Sequence, residues 1–143
     1  MKSESRIESL RKLFKENGLH KEDAYKDPRG FVIITRTGIE KIQARHKIVV
    51  SYEPIHIALD FVVIKAIATG SMPDNSEALI ETFGEASKSN TSNAYMVAMA
   101  EKRALSRAVL KLSGFYRHGA YGEDEFDNKP QYNGSVRSNG VAG

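Results

Sequence analysis

A chain of 143 residues, 41% hydrophobic and 27% charged, is long enough for one core and too apolar for wholesale disorder. It has no cysteine, which excludes disulfides and thiolate metal sites and suits a reducing compartment. The net charge is +3, but Gly122–Gly143 hold four acidic residues against two basic ones, which leaves +5 on Met1–Tyr121 and points to a polyanionic partner. No run nears the roughly 18 apolar residues of a membrane span. The opening MKSESRIESLRKLFKENG lacks the apolar stretch of a signal peptide, so a cytoplasmic location with no membrane partner is expected.

In chain order, Ile7, Leu10, Leu13 and Phe14 recur at helical spacing and predict an amphipathic helix over Ser3–Asn17 that stops at Gly18. Leu19–Gly30 is polar and ends in Asp27-Pro28-Arg29-Gly30, a turn composition. Phe31–Thr35 is β-branched and aromatic and predicts a buried strand. Thr37 and Glu40 have capping-box spacing for a short helix to about His46. Lys47–Tyr52, Ile55–Thr69 and Glu77–Phe83 predict strands, with Pro54 as a hairpin break or an edge-strand interruption and the Pro73 turn before the last of them. Asn93–Ser113 has no proline or internal glycine, is rich in alanine and runs into Gly114, which predicts a long helix. The fold expected is α+β: an N-terminal helix, an antiparallel meander of three to four strands with a short helix, and a long C-terminal helix packed on the sheet. A domain over 1–121 and a flexible acidic, then polar, tail over 122–143 complete it.

On a helical wheel the long helix turns Ala94, Ala98, Leu105, Val109 and Leu112 to one side, widened by Val97, Ala104 and Ala108. Arg103, Arg107 and Lys111 follow at steps of four and form a second stripe, away from that side. No acidic residue three or four places away relieves their repulsion, since Glu101 falls on another face. A nucleic-acid backbone would reverse it, with salt-dependent binding; a solvated face, or pairing with carboxylates elsewhere in the fold, accounts for the spacing equally. Arg36, Lys41, Arg45 and Lys47 make a second basic group around the short helix. Phe83, Tyr95, Phe115 and Tyr116 flank the long helix, either as stacking platforms for bases or as core.

The segments Thr35-Arg36-Thr37-Gly38-Ile39-Glu40-Lys41-Ile42, Glu81-Thr82-Phe83-Gly84-Glu85-Ala86 and Met99-Ala100-Glu101-Lys102-Arg103-Ala104-Leu105-Ser106-Arg107-Ala108-Val109-Leu110 resemble phage single-strand annealing proteins of the Rad fifty-two-like superfamily. The resemblance spans roughly Leu10–Glu125. It implies an annealing domain that assembles into rings or helical arrays and holds single-stranded DNA between meander and long helix, its bases open to a second strand. It places DNA contacts at Arg36, Lys41, Lys102, Arg103, Arg107 and Lys111, although Lys102 points elsewhere on the wheel, and the four-residue step from Lys41 adds Arg45 as a candidate from the basic group around the short helix. Neither a long C-terminal partner-binding region like that of the superfamily's eukaryotic members nor mediator-type partner exchange with it is expected.

Annealing needs no nucleotide, and Gly84-Glu85-Ala86-Ser87-Lys88-Ser89 lacks the glycine that a Walker A loop places before its lysine. The four histidines, His20, His46, His56 and His118, have neither zinc nor nucleophile spacing. The expectation is therefore a non-enzymatic protein without metal or cofactor that anneals single-stranded DNA in phage-type recombination. A coating protein that does not anneal is the alternative, and a nuclease-associated subunit a more distant one. The acidic run Gly122–Asp127 is a solvated linker, a cation binder, a docking site for a host or phage replication protein, or a nucleic-acid mimic that competes for the basic groove.

Overall fold

The apolar stripe at Leu10, Leu13 and Phe14 forms the inner face of helix α1 (Lys2–Glu16), which stops before Gly18 in the left-handed region at φ 68°. The computed structural model describes residues 2–89 and 95–125, with side-chain environments from Arg6 onward. Strand β1 (Ala24–Lys26) follows a single 3₁₀ turn at Lys21–Asp23, and β2 (Val32–Ile34) returns antiparallel to it. Helix α2 (Arg36–Arg45) starts two residues earlier than the Thr37–Glu40 spacing predicts. Its cap is Thr35, whose hydroxyl oxygen accepts from the Gly38 amide at 3.2 Å.

The meander is three strands, β3 (Val49–Ile57), β4 (Phe61–Ser71) and β5 (Glu77–Ser87), in sequential antiparallel order. Pro54 lies inside β3, an edge strand, and the register shifts between Pro54 and His56 in a bulge, so the proline interrupts the ladder without ending the strand. Along β4, Val62, Ile64, Ala66, Ala68 and Gly70 are buried and alternate with more exposed residues, the period of a sheet covered on one face.

The cover is helix α3 (Met96–Ser113), which packs on β4 and β5 and ends at Gly114 with φ 91°. Its alanines set how close it comes. Ala100, Ala104 and Ala108 are fully buried, and a methyl group on Gly84 would lie 2.0 Å from the Ala100 carbonyl oxygen, so α3 rests on the backbone of β5. The Thr82 hydroxyl donates to the Ala104 carbonyl at 2.7 Å and fixes the helix along the strand. Asn93 and Ala94, expected in the first turn of α3, lie outside the described residues.

A second sheet, absent from the sequence reading, is built from β1, β2 and β6 (Ala120–Gly122), with β6 parallel to β2. It seals the main core, where Ile34, Ile39, Ile42, Leu110, Leu112 and Phe115 are packed. The boundary expected at Tyr121 therefore falls inside a strand. The ordered fold continues through a 3₁₀ turn at Glu123–Glu125, and the rest of the expected tail lies outside the described residues.

Candidate nucleic-acid interface

A row of cations four residues apart tells where side chains leave a helix, but the neighbouring elements decide what they meet. Arg103 and Arg107 leave α3 on the side of the free edge of β5, whose outward carbonyls need donors. Arg103 is 2% exposed; its Nη1 donates to the Glu85 carbonyl at 2.7 Å and its Nε to the Asp124 carbonyl at 2.9 Å. Arg107 Nη1 donates to the Phe83 carbonyl at 2.7 Å and to Glu85 Oε1 at 2.9 Å, and its Nε reaches Glu125 Oε1 at 3.4 Å. The expected solvent-facing ridge is thus corrected: two of its three members are built into the fold, Arg103 between the Glu85 and Asp124 carbonyls and Arg107 between the Phe83 carbonyl and two carboxylates. Lys111 alone is exposed, with its ammonium 5.7 Å from the Tyr116 ring centre.

The electrostatics of this edge differ between its two acids. Hydrogen bonds from Arg107 hold the Glu85 carboxyl below its usual range. Burial pushes Glu125 up, more strongly than the Gly122 amide, Arg107 and the Tyr116 hydroxyl pull it down. Burial and the Glu125 charge push the Tyr116 phenol up to about 12. Glu123 accepts from the Arg36 amide at 2.9 Å, so the start of the acidic run is already engaged by its own chain.

The second basic group is partly taken up as well. Lys41 pairs at 2.7 Å with Asp23, which is 1% exposed and is held low by the His20 amide and then by Lys41. Arg45 is exposed and donates from Nε to the Glu16 carbonyl at 2.8 Å, while the side chains of Arg36 and Lys47 are exposed. Lys102 is half-buried on the outer side of α3. Of the seven expected contacts, Arg36, Arg45, Lys102 and Lys111 keep a charge that no carboxylate neutralises among the described residues.

Among the aromatics, Phe115 is core and Tyr116 is tied to Glu125, whereas Phe83 and Tyr95 are 49% and 65% exposed. Phe83 belongs to the face of the meander turned away from α3. Nothing among the described residues covers that face, which also carries Val49, Phe61 and Leu79, each exposed, with the His56 ring 5.8 Å from Phe61. Lys65 crosses its middle between Glu53 and Glu81 at 3.6 and 3.5 Å. The sequence signal for this bare face was present: Phe61, Val63 and Ile67 alternate with the buried set of β4. Between the β3–β4 loop and the first turn of α3 lies a cleft of about 380 Å³ lined by Ile57, Leu59, Met96 and Val97, with Lys88 as its cation.

Among the described residues no group of three His, Asp or Glu is placed to hold a metal, and no helix is long and apolar enough to cross a membrane. No family model, no curated protein and no solved structure matches the chain.

Proposed function

We propose that this chain is a non-enzymatic single-strand annealing protein of the phage recombination type, acting in the cytoplasm as a homo-oligomer that holds single-stranded DNA while complementary bases pair. The observation that carries the reading is the arrangement of the meander: one alanine-rich helix backs it, while its other face and its β3 edge are left bare and carry large apolar and aromatic side chains. Monomeric proteins seldom expose that much apolar surface together. Stacking of copies, and of bases on Phe61 or Phe83, would cover it. Phosphates would be neutralised by Arg36, Arg45, Lys102 and Lys111. The burial of Arg103 and the pairing of Arg107 count against a continuous groove along α3, and these two arginines shape the domain instead of touching the strand. A replication protein docking on the acidic tail would have to use residues beyond Glu125.

Mixing complementary labelled strands with the full chain tests the reading. Faster duplex formation supports annealing. Protection of strands without acceleration, or magnesium-dependent shortening of them, overturns it in favour of coating or of nuclease action. Replacing Arg36, Arg45, Lys102 and Lys111 together by alanine is expected to reduce the slope of log affinity against log salt by about 2 to 3, near 0.7 per single-strand phosphate contact.

A further inference from the structure

Carboxylates take up some of the cations inside the fold: Asp23 takes Lys41, Glu53 and Glu81 take Lys65, and Glu85 and Glu125 take Arg107. A group around the carboxyl end of α3 is not taken up in this way. Arg6, Ser9, Lys12 and Glu16 recur at steps of three or four along α1 and share one face of it. That face meets the 3₁₀ turn Tyr116–His118 just after α3. A cleft of about 390 Å³ lies between them, with Lys12 on one wall, Arg117 and His118 on the other, and Leu13 and Pro73 among its apolar lining. Arg6 reaches the same turn, since a methyl group on Gly119 would lie 3.5 Å from its guanidinium nitrogen.

Glu16 and Asp74 also line this cleft, yet among the described residues no carboxylate pairs with Arg6, Lys12 or Arg117. Lys12 and Arg117 line the cleft with those two carboxylates, and Arg6 stands beside it at Gly119, which leaves three permanent cations around His118 against two carboxylates. The partial negative charge at the carboxyl end of α3 offsets some of the excess, and the remainder is felt by His118. Burial, then Arg117 and Arg6, hold that imidazole below its ordinary proton affinity. Convergent cations that destabilise one another are stabilised by an oxyanion placed between them.

We propose that this cleft is a phosphate-binding site in which Lys12 and Arg117 grip the oxyanion of a nucleic-acid phosphodiester or of a free phosphate ion, with Arg6 reaching in from beside Gly119 and His118 donating an N–H to it. The phosphodiester source rests on the proposed function; the free-ion source does not.

The test is a proton titration of the four imidazoles of the full chain by NMR, run without ligand, with inorganic phosphate and with oligothymidylate, at matched ionic strength. Either ligand is expected to raise the His118 midpoint. The Arg6→Ala/Arg117→Ala variant should raise that midpoint without ligand, abolish its response and bind phosphate about tenfold more weakly. Arg117→Ala alone serves if the double variant does not fold. A response to both ligands identifies a strand contact, and a response to phosphate alone a small-anion site. No response by His118 to either ligand overturns the site, even if oligothymidylate binds elsewhere and the annealing reading stands; a response without any annealing leaves the site standing and removes that reading.

Discussion

Two places along α3 gather arginines, and they use them in opposite ways. At the β5 edge, Arg103 and Arg107 are drawn inward because strand carbonyls and Glu85 lie within reach and α3 sits close enough for short spans. At the carboxyl end, Arg117 and the Arg6 of α1 face outward around a cleft, where no carboxylate comes close enough to pair with them among the described residues. Spacing along the helix is regular in the first case and absent in the second. Whether a cation is available is thus decided by the strand or helix opposite it, and charge periodicity alone does not report it.

The closeness of α3 to β5 is the premise of the inward half, and Gly84→Ala attacks it directly. The new methyl group would strike the α3 backbone at Ala100 and Ala104, and a loss of roughly 3 kcal/mol or more is expected in urea unfolding. Arg103→Ala comes next, at about 2 to 3 kcal/mol, because it removes the donor from two carbonyls and empties a buried volume. Arg117→Ala, an exposed site, should stay within about 0.5 kcal/mol of the parent. Equal losses in these two arginine variants would erase the distinction between the regions.

The two acids at the β5 edge sharpen it further. Glu85→Gln is expected to cost about 1 kcal/mol, a modest figure because the carboxylate is 43% exposed. Glu125→Gln should cost less or stabilise, since it removes a charge that burial disfavours while keeping an acceptor for the Gly122 amide. The same opposition appears with pH. Glu125 is raised in the folded chain, so its penalty is present at neutral pH and is relieved as pH falls through its folded value. Glu85 and Asp23 are lowered, so their contributions are intact above their ordinary values of 4.5 and 3.8 and vanish as pH falls through the depressed ones. Going down from neutrality, His118, whose proton affinity the fold lowers, takes some stability away as pH passes its ordinary value of 6.5, Glu125 then returns some, and Glu85 and Asp23 remove theirs last; Glu125→Gln should delete only the middle, rising step in the urea midpoints.

The long helix and strands β4 and β5 are readable in the sequence because each has ten or more residues of consistent period, whereas the β3–β4 turn falls inside the strand expected over Ile55–Thr69, since β3 is exposed along nearly all its length and shows no alternation. The small sheet is not readable either. Ala24–Lys26 and Ala120–Gly122 are three residues each, too short to show alternation, and they are strands only because β2 lies between them. The same holds for the cations. Nothing near Arg103 in the chain announces the Glu85 carbonyl or Asp124, which are brought beside it by the meander and by β6. Thr35 and Thr37 both carry a capping hydroxyl, and the choice of Thr35 follows from where β2 releases the chain.

Seating β6 against β2 also carries a temporal consequence. Val32 has its ladder neighbour at Ala120, so the inner sheet lacks a member until nearly the whole described chain has left the ribosome. The amino-terminal half must wait, with Ile33 and Ile34 exposed to solvent or to a chaperone, for a strand made almost last. Nascent chains stalled shortly before Ala120 should therefore be open to proteases across Phe31–Thr35, and chains released a few residues later should resist them.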